Sequence, residues 1–177
     1  YDLLYGDRVR EVRFYSDLAS GYGKKVLELG VGTAALAIQL ASQGYEVTGI
    51  DNSPDMLAVA EEKLGRCEGP VRQRLRLANA DMRTFDLAEK DVDIAFIAIS
   101  TFLFLLTHEE ELNCLRCIRE HLRPRGGLSI CIFQIDPKYP CGVLKLGHAV
   151  KVPGGGADLI RYQQDSNDYA RQLIETK

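Results

Sequence analysis

A surplus of positive charge is missing from this sequence. Its 22 Lys and Arg stand against 25 Asp and Glu, for a net charge of −3 and a sequence pI near 5.7. Nucleic-acid binding draws its affinity from phosphate neutralisation, so no nucleic-acid partner is expected. Arg72, Arg74 and Arg76 do cluster, but their alternation reads as the solvent face of a strand. A long apolar run is missing too. The longest, 94–106, is too short for a bilayer and contains Ser100 and Thr101, so no membrane span is expected. No signal-peptide pattern precedes the first strand. Five cysteines, odd in number and unevenly spaced, form no disulfide framework, which suits a reducing cytoplasm. Repeats and low-complexity tracts are absent. What remains is 46% hydrophobic and 27% charged over 177 residues, enough for one domain with a core of useful size. The chain opens on Tyr1 rather than methionine, so it is expected to be a portion of a longer protein.

The chain is organised around residues 24–55. An apolar run at 26–29 reads as a buried strand. It breaks at Gly30-Val31-Gly32-Thr33-Ala34 and resumes at helical spacing, with Leu36 and Leu40 one turn apart and Gln43-Gly44 as the stop. A second strand, 45–50, finishes on Asp51. Strand, glycine turn, helix, strand and a carboxylate about 20 residues past the first glycine make the nucleoside-binding half of a doubly wound α/β fold. The glycines permit a sharp turn and close approach to the main chain. Asp51 offers two acceptors to the vicinal hydroxyls of a ribose. The string GxGxxA also suits a dinucleotide fold, but Glu28, two residues before Gly30, would repel a diphosphate and attract a cationic ligand.

Around this unit, 1–23 reads as an amphipathic helical entry with Val9, Val12 and Leu18 buried. Tyr1, Tyr5 and Tyr15 lie on this segment, and packing is the favoured role for each. Ser53-Pro54 starts a helix whose inner face carries Met56, Val59, Ala60 and Leu64 and whose end is Gly65. Strands are expected at 74–78 and 93–99, and at 128–133 as the fifth. Thr107-His108-Glu109-Glu110 is a capping box for a helix to Leu122, with Leu112, Leu115, Ile118 and Leu122 inward. That helix also carries Cys114, Cys117 and His121, but no second cysteine pair completes a metal site, so none is expected. Beyond residue 136, Pro153-Gly154-Gly155-Gly156 reads as a mobile loop or hinge. An antiparallel hairpin of 159–164 against 169–176 is expected to turn at 165–168.

Glu28-Leu29-Gly30-Val31-Gly32-Thr33, the stretch from Val47 through Asp51-Asn52-Ser53-Pro54-Asp55-Met56-Leu57, Ala80-Asp81-Met82 and the turn at Pro124-Arg125-Gly126-Gly127 together resemble class I S-adenosylmethionine-dependent methyltransferases. The resemblance covers residues 24–133. It implies a Rossmann-like sheet of parallel strands in the order 3-2-1-4-5, flanked by helices, with S-adenosyl-L-methionine as cofactor. Glu28, Gly30 and Gly32 would hold its methionine end and Asp51 with Asn52 its ribose. Met56, Asp81 and the Met82 main chain would meet its adenine, and a carbonyl near Ile99 its ammonium. The family's third glycine is replaced by Ala34, whose methyl is expected to narrow the methionine side. The remaining residues do not supply the family's closing helix and strands, so a C-terminal hairpin is expected instead. The organisation expected is one methyltransferase domain, with an N-terminal cover at 1–23, a core at 24–135 and a substrate-side segment at 136–177.

The expected chemistry is in-line methyl transfer to an oxygen or nitrogen of a small molecule. Mild acidity and two long variable segments favour a small methyl acceptor over a macromolecule. A general base is needed only if the acceptor proton must leave, and His108 and Asp136 are candidates; a helix-surface role and a turn role compete with it. Two other functions stay open: a non-catalytic S-adenosylmethionine-binding module, and an NAD-dependent oxidoreductase resting on GxGxxA and Asp51 alone.

Overall fold

The computed structural model describes residues 9–133, 145–151, 158–163, 165–168 and 173–176. The chain divides into two compact units, Arg8–Phe133 and Gln134–Lys177 with Tyr1–Asp7. The first holds a five-stranded parallel sheet in the order β3-β2-β1-β4-β5, as the sequence predicts. Its strands are β1 (Lys25–Leu29), β2 (Glu46–Asp51), β3 (Leu75–Asn79), β4 (Val92–Ile97) and β5 (Leu122–Ile130). β1 is central, pairing Leu29 with Ile50 on one side and with Ile97 on the other. Covered on both faces, it reads as apolar from Val26 onward apart from Glu28.

The two faces form separate cores because successive side chains point opposite ways. One gathers Val26, Val47, Ile94 and Phe96 with α1 (Val9–Ser20) and α2 (Ala35–Ser42). The other gathers Leu27, Leu29, Ile50 and Ile97 with Cys114 and Ile118 of α5 (His108–His121). In α1 the buried residues are Tyr15 and Ala19, with Val12 and Leu18 half-buried beside them. Tyr15 stacks on Phe96 at 4.7 Å between ring centres, the packing role favoured for it. Val9's side chain, Tyr1 and Tyr5 lie outside the described residues.

Several expectations shift by one helical position. In α3 (Pro54–Gly65) the buried residues are Leu57 and Ala60, while Val59 is exposed. Ala60 is inward as expected, and Leu57 rather than Met56 joins it in the first core beside Val47 and Leu75. In α5 the inner face is Cys114, Ile118 and His121, with Leu112 exposed. Arg72 and Arg74 do not alternate on a strand. They end α4 (Gly69–Arg74), and only Arg76 sits on β3, paired with Glu89 at 3.0 Å.

β5 starts earlier than expected. Its register jumps from Val92↔Leu122 to Ile94↔Gly127, leaving Arg123–Gly126 as a bulge. Pro124 cannot donate to a ladder, and the bulge accommodates it. Asp93 fixes this corner. It accepts from the Lys24 and Lys25 main-chain N–H groups at 2.8 and 2.9 Å and from Arg123 Nε at 2.5 Å.

The second unit contains β6 (Lys145–Lys151) antiparallel to β7 (Asp158–Gln163), and β8 (Asp165–Asp168) antiparallel to β9 (Leu173–Thr176). The C-terminal strands are therefore hairpin-like, as expected, but the partners differ. Residues 159–163 pair backwards with β6, and 165–168, expected as a turn, is itself a strand. The Pro153–Gly156 stretch lies outside the described residues. Among those described, no helix is long and apolar enough to cross a membrane.

Candidate functional site

The site grows from the turn after β1. Gly30 and Gly32 adopt φ of 71° and 54°, the left-handed region where a Cβ is costly. The N–H groups of Gly30 and Val31 both donate to the Ile50 carbonyl at 2.9 Å, stitching the turn to the end of β2. A Cβ on Gly30 would lie 2.3 Å from Thr101 Cγ2, so the loop after β4 packs against that glycine. At Gly32 a Cβ would meet nothing within 4 Å, so this stretch of main chain faces open space. Ala34 is also left-handed, with φ 59°, but it is fully buried in the core beneath the turn. Its methyl therefore packs inward. Glu28 is 3% exposed on the β1 face shared with Val26, close enough to act on Tyr15. Burial chiefly, then the Cys131 thiol, then Glu28 and Glu11, push the Tyr15 phenol upward, so it stays protonated.

Asp51 ends β2 facing that turn. Its Oδ2 accepts from Gly32 N–H at 2.8 Å and its Oδ1 from Ser53 N–H at 2.9 Å. An ionised carboxylate has about four acceptor positions. Two neutral donors hold it in place and leave one on each oxygen, the count a vicinal diol needs. Asn52 is exposed beside it. Ser53 Oγ accepts from Met56 N–H at 3.3 Å, so α3 begins directly behind the carboxylate with Met56 half-buried.

The Asp51 carbonyl accepts from Ala80 N–H at 3.0 Å, which brings the segment after β3 alongside. Asp81 there is engaged by a residue the sequence did not single out. Arg83 donates its main-chain N–H to Oδ1 at 2.8 Å, Nε to Oδ1 at 2.9 Å, and Nη2 to Oδ2 at 2.6 Å. Nη1 of the same guanidinium reaches Glu110 Oε1 at 2.5 Å. The Arg83 hydrogen bonds hold the Asp81 carboxyl below its ordinary value, against a smaller opposing effect of burial. Met82 is half-buried against the second core. The spacing Asp-x-Arg after a strand was the available signal, since a side chain two residues on can fold back onto its carboxylate.

Ile99 and Ser100 follow β4 with φ of 54° and 61°, and neither is a glycine. Left-handed backbone is a genuine outlier for a β-branched residue, and such strain clusters at functional sites. The structure over-determines it. Ser100 N–H donates to the Cys131 carbonyl at 2.9 Å, and Ser100 Oγ accepts from Phe133 N–H at 3.2 Å. No local sequence signal marks this pair.

Of the two base candidates, only His108 falls among the described residues. His108 is 98% exposed in the first turn of α5, paired with Glu111 at 2.9 Å. Asp136 lies outside the described residues. His121 is fully buried: Nδ1 faces the Cys117 carbonyl at 2.7 Å, and Nε2 takes Leu87 N–H at 2.9 Å. That network assigns the proton to Nδ1 and makes the ring a clasp between α5 and the segment after β3. Burial chiefly pushes the Cys114 thiol up to about 12.

A family model described as a methyltransferase domain matches residues 26–126, more than half the chain. A demethylmenaquinone methyltransferase of Tropheryma whipplei (strain Twist) is 32% identical over 154 residues, covering 86% of this chain and 59% of that protein. A cypemycin N-terminal methyltransferase of a Streptomyces species is 31% identical over 157 residues, covering 86% and 58%. The chain thus spans little more than half the length of these relatives. Among solved structures, the methyltransferase CcbJ of Streptomyces caelestis aligns with a TM-score of 0.75 at 26% identity, covering 94% of this chain and 64% of that one. DesVI of Streptomyces venezuelae aligns at 0.76 with 20% identity, covering 100% and 78%, a likeness of fold. With the glycine turn, the Asp51 carboxylate and the 3-2-1-4-5 sheet in place, the chain belongs to the methyltransferase-domain family, whose class I fold uses S-adenosylmethionine.

Proposed function

We propose that this chain carries the S-adenosylmethionine-binding and methyl-transfer site of an enzyme acting on an oxygen or nitrogen of a small molecule. The observation that carries it is the arrangement at the carboxyl ends of β1, β2 and β3. There the open main chain at Gly32 bonds Asp51, Asp51 bonds the residue before Asp81, and Glu28 sits one residue before the end of β1. The residues fit the cofactor. Asp51 keeps acceptor positions for the ribose, Gly32 presents uncrowded backbone, and Glu28 supplies negative charge near the cationic methionine end. Met56 offers its thioether to the adenine face, and Met82 its main-chain N–H to a ring nitrogen. Ile99 brings a strained carbonyl to the ammonium side, and Asn52 stands exposed beside Asp51.

When bound, S-adenosylmethionine supplies a sulfonium methyl that is already electrophilic. The protein's work is then chiefly to hold an acceptor in line and keep water away, effects worth several kcal/mol. No buried His or carboxylate pair among the described residues stands out as a proton acceptor. His108 is a surface residue, and we retain Asp136 as the other candidate. A small-molecule acceptor is supported by the relative named for a demethylmenaquinone. The proposal takes residues 1–177 as one methyltransferase domain working in the cytoplasm, where Cys67, Cys114, Cys117 and Cys131 remain thiols.

Calorimetric titration with S-adenosylmethionine, S-adenosylhomocysteine and NAD tests the cofactor. Binding of the first two and not the third is expected; binding of NAD alone overturns it. Labelled cofactor offered with metabolite and macromolecule pools tests the acceptor, and label confined to protein or nucleic acid refutes the small-molecule assignment.

A further inference from the structure

We propose that Arg83 is a positioning residue for adenine recognition, turning Asp81 so that one acceptor position on Oδ2 faces the purine 6-amino group. The inference rests on the adenosyl reading of the site given above, and it concerns how selectivity for that base arises.

The argument is a count of acceptor positions. An ionised carboxylate has about four, two on each oxygen. Three donors of Arg83 occupy Asp81: the main-chain N–H and Nε on Oδ1, and Nη2 on Oδ2. Nε also leans toward Oδ2 at 3.1 Å, a shared arm of the same N–H rather than a fourth donor. Oδ1 is therefore filled, and among the described residues one position remains, on Oδ2. One position matches one N–H of an exocyclic amine.

The clamp cannot swing with its carboxylate, because its far side is anchored. Nη1 binds Glu110 Oε1, and Glu110 Oε2 accepts from Leu106 N–H at 2.9 Å. Glu110 N–H in turn donates to the capping Thr107 Oγ1 at 3.2 Å. The Arg83 fork is thus tied to the start of α5 and spans the gap between the segments after β3 and after β4. Its partners are partly open to solvent, with the Asp81 side chain 30% and the Arg83 side chain 41% exposed. Ion pairs this open contribute little to stability, so orientation is the main consequence of the network. Only a planar fork reaches both oxygens of Asp81 and Glu110 at once, which a lysine ammonium cannot do.

The test compares S-adenosylhomocysteine with its 6-deamino analogue, whose purine carries hydrogen at carbon 6, by calorimetric titration. The parent protein is expected to prefer the amino compound by roughly tenfold to a hundredfold, the worth of one charge-assisted hydrogen bond. In Arg83→Met that preference is expected to fall to about threefold or less, mainly through weaker binding of the amino compound. Arg83→Lys should lose most of the preference as well, and Glu110→Gln part of it. If Arg83→Met does not fold, the other two variants carry the same ratio. A purely structural Arg83 would weaken both ligands alike and keep the ratio, and an unchanged or larger ratio across the folded variants overturns the proposal while leaving the cofactor reading intact. A parent that binds both compounds equally also overturns it. Binding of neither compound defeats the adenosyl reading itself, and the role of Arg83 with it.

Discussion

Asp51 and Asp81 end neighbouring parallel strands or follow them closely, and each presents a carboxylate to the same edge of the sheet, yet they are held by different means. Asp51 is gripped by two neutral peptide N–H groups, from Gly32 and Ser53. Asp81 is gripped by one peptide N–H, that of Arg83, and by the guanidinium of the same residue, itself tied to Glu110. The first mode is a property of the backbone: it exists wherever the glycine turn and the helix start are correctly formed. The second adds a side-chain clamp to its one backbone bond and stands apart from the turn. The comparison teaches that one edge combines an acceptor whose orientation depends on the fold with one whose orientation depends on a single removable residue.

The sharpest way to break the comparison is through the turn. Gly30→Ala places a Cβ 2.3 Å from Thr101 Cγ2 at a φ of 71°. Left-handed strain and overpacking together should cost about 2–5 kcal/mol, read as a drop in denaturant midpoint. Binding through Asp51 should fall with it, whereas the Asp81–Arg83 pairing should persist in whatever fraction stays folded. A Gly30→Ala protein with parental stability would show that the turn tolerates a side chain. Next in size is Asp51→Ala. Removing an ionised acceptor from a diol should weaken S-adenosylmethionine by about 1.5–3 kcal/mol, roughly tenfold to a hundredfold. Unchanged calorimetric affinity would remove Asp51 from the ribose site.

Much of the Asp51 half was legible in the sequence, because its logic is local. Glycines at fixed spacing, an apolar run before them, a helix-starting Ser53-Pro54 and a strand ending in Asp51 are all contiguous signals, and the 3-2-1-4-5 order came with the family resemblance they carry. The Asp81 half was only partly legible. Asp81 itself was visible at the end of a strand, but Glu110 lies 27 residues beyond Arg83, and nothing local marks that pairing. The same reason explains Ile99 and Ser100, whose left-handed backbone is enforced by bonds to Cys131 and Phe133 rather than by glycine. Helix phases were misjudged where caps and long-range partners decide them. Val59 and Leu112 are apolar at the right period, yet Leu57 and His121 took the inner positions. The C-terminal pairing was missed because a run of alternating residues does not say which neighbour it will meet.

A graded acid sensitivity sharpens the comparison further. Asp81 and Glu110 titrate below their ordinary values of 3.8 and 4.5, chiefly because Arg83 donates to them. Burial pushes Asp93 upward, but bonds from Lys25, Arg123 and Lys24 together outweigh it and lower it as well. A depressed folded-state value means stabilisation that is complete above the ordinary carboxylate range and is lost as pH falls through it. The denaturant midpoint should therefore begin to decline below about pH 5 and go on declining through the lowered folded-state values. Arg83→Met should make that decline shallower by removing the Asp81 and Glu110 part, leaving the Asp93 part. Superimposable pH profiles for the two proteins would show that Arg83 exerts no such hold in solution.

The smallest effect is expected at Ala34, beneath the turn that grips Asp51. Glycine there would release left-handed strain of about 1–2 kcal/mol. Against this, a fully buried methyl worth about 0.8 kcal/mol is lost, and the unfolded chain gains freedom worth about 0.4–1 kcal/mol. The terms nearly cancel, so Ala34→Gly should change stability by no more than about 1 kcal/mol in either direction. Because the methyl is packed in the core rather than set before Gly32, affinity for S-adenosylmethionine should also stay within about twofold. Calorimetry on the variant decides the point. A tenfold tightening would mean that the methyl does intrude on the methionine side, and that the backbone-held half of the site is shaped by a side chain after all.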